Sequence, residues 1–406
     1  PGAPVAEVLP ALLARLFGKI PFPKSMRWGE GEIAFGRPVH WVVCLRGADV
    51  VPVELAGVAA GRASRGHRFL APGEVTIADA DGYVDALRAA RVLVDPEERQ
   101  RAMLERLEAA AKAAGGVIVE DAFLVGENLS MVEEPHVICG SFDPAFLDLP
   151  DEVSIGVMRG HQRYFALRDA GGTLLPRYLA VVNTDRSPDL ITKGNDRVLR
   201  ARLADARFFV EEDRERGLEA MSLQLDQVVF QAKLGSVGER VRRLIAAVGD
   251  DPIAREAARL CKADLVSLIV GELPELQGQM GRFYAEKAGV DAEVARAIEE
   301  HYLPRGASDS VPTTAAAARL AVAERADALV GCFGIGLVPS GSADPFALRR
   351  ATLGVIRTAL EGPIDVDVRE ILATAHDAYT AQEKPVGEKD AVLAALDDFF
   401  RGRLRV

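Results

Sequence analysis

Cysteine is scarce and scattered in this sequence. Cys44, Cys139, Cys261 and Cys332 form no Cys-x-x-Cys pair, which excludes a zinc knuckle and a small disulfide scaffold. Thiols so isolated in a 406-residue chain read as reduced core residues of a cytoplasmic protein. No apolar run approaches the roughly 20 residues of a membrane span. The first residues also lack the basic, apolar and small segments of a secretory signal, so no membrane partner is expected. Common catalytic signatures are missing as well: there is no GxxxxGK[ST] loop, no GxSxG elbow and no HExxH. Gly334-Ile335-Gly336 contains a GxG, but without the strand–GxGxxG–helix context that would give it meaning. Positive charge is in deficit: 49 Lys and Arg against 60 Asp and Glu leave a net charge of −11. Any nucleic-acid contact must therefore come from a local basic patch.

What is present is ordinary globular chemistry. Hydrophobic residues make up 49% and charged residues 27%, and the length calls for at least two domains. Val5, Val8, Leu9, Leu12, Leu13 and Leu16 recur at helical spacing until Pro21 and Pro23. From Met26 to about Leu70 the chain is β-prone, with Pro38–Leu45 the strongest run and Val50–Leu55 alternating like a half-buried strand. Residues 83–113 return to helical periodicity, and short strands are expected within 117–142 and 152–184. Beyond about Gly194 nearly everything is helical. Strands first and helices after, rather than alternating βαβ units, predict an α+β fold: a mixed N-terminal region over 1–215 and an all-α remainder. Weak linkers at Glu361-Gly362-Pro363 and Gln382–Pro385 interrupt the latter.

Three clusters could carry chemistry. Within Met158–Phe165, Arg159, His161, Gln162, Arg163 and Tyr164 combine cations with groups able to hydrogen-bond or stack on an unpaired base. On the residues alone, the plainer reading of the segment is a strand edge with snorkelling arginines and a buried Phe165. In Lys193–Phe209, Asn195 reads as a helix N-cap and Asp196 as a first-turn acid. Helical phase sets Arg197, Arg200 and Arg207 on one face, against Val198, Leu199, Leu203, Ala206, Phe209 and Val210 on the other. Arg202 falls inside the apolar arc, so burial and an ion pair with Asp205 are expected for it. The third cluster, Lys262-Ala263-Asp264, His301-Tyr302 and Asp327, is similar in order to the HD metal-phosphohydrolase superfamily. Ala263 stands where a ligand histidine is needed, and no earlier histidine is nearer than His161. A set of Asp264, His301 and Asp327 lacks the nitrogen donors of a tight site. The expectation is an HD-like helical fold without metal and without catalytic residues, its two aspartates held as hydrogen-bonded structural carboxylates.

Several stretches taken together resemble one family. They are Ile20–Gly29, Phe35–Trp41, Arg65–Leu70, Leu149–Val153, Met158–Phe165, Gly194–Ala206, Leu276–Gly281, Glu300–Tyr302 and Gly341–Arg350. In this order and spacing they resemble the β subunit of the bacterial two-subunit glycyl-tRNA synthetase. The resemblance implies an aminoacyl-tRNA synthetase, a ligase of protein biosynthesis whose smaller α subunit carries the class II site for glycine. ATP and magnesium are then expected on that α subunit, and no cofactor in this chain. The implied partners are the α subunit and tRNA(Gly), with Arg159, His161, Gln162, Arg163, Tyr164, Arg197, Arg200 and Arg207 as tRNA contacts.

The family further implies an N-terminal region, 1–215, similar in part to the large subunit of phenylalanyl-tRNA synthetase. A degenerate HD-like domain over 216–355 and a helical linker over 356–406 would follow. An anticodon-binding domain is expected after Val406, and part of an N-terminal region before Pro1. Two other functions, an HD phosphohydrolase and an aminoacyl-tRNA deacylase, remain open alternatives at this level.

Overall fold

The computed structural model describes residues 4–341 and 343–404. Pro1–Ala3, Ser342, Arg405 and Val406, which enter the sequence reading, lie outside these residues. The fold is α+β. The chain divides into two compact units, residues 1–144 with 161–199, and residues 145–160 with 200–406.

The first unit opens with the helix Val5–Phe17, as its periodicity predicts. The following β-prone run forms much shorter strands than expected. Val42–Val43, Val58–Gly61 and Glu54–Leu55 make a three-stranded sheet; one small hairpin, Leu45–Arg46 with Asp49–Val50, lies between its strands in sequence, and another, Ala63–Arg65 with Glu74–Thr76, follows them. The alternation around Val50–Leu55 is real, since Val51 and Val53 are buried. The helix Pro96–Ala113 is fixed at its start by Asp95, whose carboxylate accepts from the Glu97 and Glu98 amides, and by Pro96 at the first helical position. Its buried stripe, Met103, Leu107 and Ala111, has a spacing of four. That stripe packs on a four-stranded antiparallel sheet ordered Val117–Ile118, Phe165–Arg168, Leu174–Val182, His136–Ser141. Gly140 on the outer strand is required by close approach: a β-carbon there would lie 2.2 Å from the Tyr178 ring.

The helix Pro188–Ser222 begins seven residues before Asn195. Asn195 and Asp196 are therefore interior to it and not its cap. Asp196 has a different task, accepting from the Tyr178 hydroxyl at 2.8 Å and the Ser141 amide at 3.1 Å. Gly217, at φ 76° and ψ 153°, breaks this helix into two.

In the second unit, helices surround Ala315–Gly334. Fifteen of its 20 residues are buried, so it is a central helix rather than a surface one. Thr314 caps its start. Around it stand Val237–Ala247, opened by a Ser236/Glu239 capping box, Pro252–Leu260, Ala292–Glu300, Leu348–Glu361, Val368–Ala381 and Lys389–Leu404. Segment 145–160 belongs to this unit. Its Gly156 lies against Leu273 and Leu276, and Val153, Val157 and Met158 are buried.

Candidate functional site

The arginine-rich segments present fewer free side chains than their sequence suggests. Met158–Gln162 forms a short π-helical turn, with Arg159, His161 and Gln162 half-buried. Arg163 has a left-handed backbone, φ 59°, and is tied down locally. Its Nε donates to Glu127 at 3.2 Å, its carbonyl accepts from Asn128 at 3.1 Å, and its guanidinium lies 5.5 Å from the Phe123 ring centre.

Tyr164 departs from expectation. It is 5% exposed and stacked on Tyr178, with centroids 4.4 Å apart and planes 14° apart. Burial, and then the nearby Asp196 charge, push its hydroxyl up to about 12. The ring is covered by its packing on Tyr178 and offers no stacking surface outward.

Over residues 193–210 of the long helix the buried residues are Leu199, Leu203, Ala206 and Val210, a stripe narrower than the expected arc, for Val198 is 40% exposed. Arg202 therefore lies in solvent, as does Asp205, and the expected buried ion pair does not form. Arg197 and Arg200 are exposed. Arg207 is not simply outward: its guanidinium covers the Phe146 ring at 4.3 Å and donates to the Ala145 carbonyl. Arg207 thus holds segment 145–160 against its helix.

The HD-like positions do not converge. Asp264 is fully buried, and one of its oxygens accepts from the Gly278 and Gly281 amides at 2.6 and 3.0 Å. The other oxygen has no partner, and burial pushes the carboxyl up to about 6. His301 meets the Lys262 ammonium at 2.8 Å through Nε2 and the Ile298 carbonyl at 2.7 Å through Nδ1. An ammonium can only donate, so Nε2 accepts and Nδ1 carries the proton. Burial, and then the Lys262 charge, hold His301 well below its usual value, which keeps it neutral. Asp327 is clasped by Arg243 at 2.6 Å and by Arg240 at 3.0 Å. Both aspartates are hydrogen-bonded within the fold, as expected, each among partners of its own. Among the described residues no cluster of three acidic, histidine or cysteine side chains could hold a metal ion.

The sequence reading missed the groups that organise this region. Glu324 is shared between Arg240 at 2.8 Å and Lys262 at 3.2 Å. Although burial opposes ionisation, these cations and Arg325 hold the Glu324 carboxyl far below its ordinary value. Arg325 has no carboxylate partner of its own and donates to the carbonyls of His301, Ala321, Tyr302 and Pro304. Arg243 stacks on Tyr379 at 3.9 Å. The available signal was Glu324-Arg325 and Asp327 set in an alanine-rich helix, facing Arg240 and Arg243 three residues apart. Arg240, Glu324 and Arg325 border a cavity of about 450 Å³.

The glycyl-tRNA synthetase beta subunit family model matches residues 1–406. The chain belongs to that family. The glycine–tRNA ligase beta subunit of Chromohalobacter salexigens is 45% identical over 98% of this chain and 59% of its own length. That of Geobacter sulfurreducens is 44% identical over 99% of this chain and 60% of its own. The Desulforamulus reducens protein is 42% identical over the whole chain and 60% of its own length. The chain therefore spans about three-fifths of the length of these glycine–tRNA ligase beta subunits. No described helix is long and apolar enough to cross a membrane.

Proposed function

We propose that this chain is part of the tRNA-binding subunit of a two-subunit glycine–tRNA ligase. It positions tRNA(Gly) for aminoacylation by a class II α subunit, which holds glycine, ATP and magnesium in the cytoplasm. The observation that carries this reading is the family match along the whole chain, at 42–45% identity to named glycine–tRNA ligase beta subunits. The chain itself activates no glycine, and its catalysis resides in the partner.

The helical unit is HD-like in the order of Asp264, His301 and Asp327 over 216–355, and the helices of 356–406, expected as a linker, pack into the same core. Neutral His301, an arginine-bound Asp327 and an amide-bound Asp264 fit a structural role rather than a metal centre. For tRNA, the exposed Arg197 and Arg200 are the strongest phosphate contacts; Arg202, also exposed, is a third candidate on the other side of the buried strip. Arg159, His161, Gln162 and Arg163 remain a second basic region. Tyr164 and Arg207 act on the fold around them.

The test is the affinity of the whole subunit, with its α partner, for tRNA(Gly) across a salt series. Changing Arg197, Arg200 and Arg202 together to Ala should flatten the log–log salt slope by nearly one per lost phosphate contact. An unchanged affinity and slope would leave these arginines as a solvated face. Glycine-dependent ATP–pyrophosphate exchange by this chain alone should be absent, and robust exchange would sink the division of labour.

A further inference from the structure

The cavity in the helical unit has a charge balance that calls for an anion. Four arginines, Arg240, Arg305, Arg325 and Arg350, line it against two carboxylates, Glu275 and Glu324. Behind its wall Lys262 and Arg243 are nearly fully buried, and the adjacent carboxylate, Asp327, is already divided between Arg240 and Arg243. Glu324 is likewise divided between Arg240 and Lys262. Arg325, 7% exposed, is satisfied only by backbone carbonyls. Its nearby counter-charge, Glu324, is already divided between two other cations, so an anion in the adjoining space would offset part of the cost of burying it.

The cavity also has unused partners. The Tyr302 ring is on its lining, with the Lys262 ammonium behind it 4.0 Å from the ring centre. Arg350 is exposed at the rim and has no hydrogen-bond or ion-pair partner among the described residues. Phe346, four residues earlier, is 46% exposed on the same rim. The start of the helix Leu348–Glu361 is already occupied by Asp344, which accepts from the Leu348 and Arg349 amides. Side chains rather than helix amides therefore supply the cationic character.

Guanidinium groups and an open aromatic face together suit a ligand with a phosphate at one end and a planar ring at the other. A volume of about 450 Å³ is within the usual size of small-molecule sites. We propose that this cavity binds a nucleoside monophosphate, its phosphate reaching Arg350 and the Arg325 side of the cavity and its base resting on Phe346. The inference stands apart from the tRNA reading, because a free mononucleotide and a nucleotide within RNA share this chemistry and are separated by experiment.

The experiment is isothermal titration of the 406-residue chain with AMP, alongside adenosine, inorganic phosphate and a single-stranded RNA trinucleotide. AMP should saturate one site per chain, with adenosine and phosphate each at least tenfold weaker. Arg350→Ala should weaken AMP at least tenfold. Phe346→Ala should weaken AMP but leave phosphate unchanged. Both substitutions are at exposed positions, and unchanged far-UV circular dichroism checks their folding. Trinucleotide binding at least tenfold tighter than AMP, with the same Arg350 dependence, would assign the site to a nucleotide within RNA. Equal or weaker trinucleotide binding assigns it to the free nucleotide. The proposal is overturned if neither ligand saturates, if phosphate binds as tightly as AMP, or if both variants bind like the wild type.

Discussion

At the scale of single residues, partners decide which charges matter. Arg202 is solvated, so Arg202→Ala should change stability by less than about 0.5 kcal/mol in urea unfolding. Asp327→Ala strands the buried Arg243 and leaves Arg240 with Glu324 alone, and should cost about 3–5 kcal/mol in the same assay. Asp264 adds a pH signature. Its carboxyl rises from 3.8 to about 6 on folding, so folding takes up a proton between those values. Its contribution is most favourable below pH 3.8 and is lost as pH rises through about 6. Relative to Asp264→Asn, the wild type should therefore gain up to about 3 kcal/mol as pH falls from 7 to 4. Denaturant midpoints of both proteins at the two pH values check this, and a difference independent of pH would refute it. None of these roles could be read from phase alone. The sequence locates Arg202 within an arc of apolar residues, but the helix buries a strip only one residue wide, and Arg202 falls outside it. Tyr164 looked like a base-stacking residue because its cross-strand neighbour, Tyr178, is 14 positions away.

At the scale of elements, the periodic signals were legible and the boundaries were not. Met103, Leu107 and Ala111, and likewise Leu199, Leu203, Ala206 and Val210, announce their helices by spacing. The start at Pro188 was hidden because Asn195 and Asp196 carry capping chemistry that the fold uses elsewhere, Asp196 serving Tyr178 and Ser141. The break at Gly217 makes a sharper prediction. Its φ 76°, ψ 153° conformation is nearly closed to other residues, while nothing lies within 4 Å of an added β-carbon. Gly217→Ala should thus cost about 1–3 kcal/mol through the backbone alone. Gly194, in the same helix with equally open space, should gain about 0.5–1 kcal/mol when changed to Ala. Thermal unfolding of the two variants should move in opposite directions.

At the scale of the whole molecule, an α+β fold with strands early and helices late follows from the order of the patterns. The membership of residues 145–160 in the second unit does not, since nothing local in Asp151–Val157 says which apolar surface it will meet. A chain comprising 216–406 alone would lack this segment and the 200–215 stretch that Arg207 locks it to. It should melt at lower temperature and bind more of a hydrophobic dye than one in which 145–160 and 200–406 are both kept. Equal melting and dye binding would show the segment to be dispensable.

That threading also sets a schedule for synthesis. Val153, Val157 and Met158 leave the ribosome well before Leu273 and Leu276, the surface against which their segment rests. At about 5–20 residues per second, the intervening stretch of roughly 120 residues takes on the order of ten seconds to translate. During that interval the nascent chain carries an uncovered apolar segment, which is the kind of stretch a ribosome-associated chaperone engages.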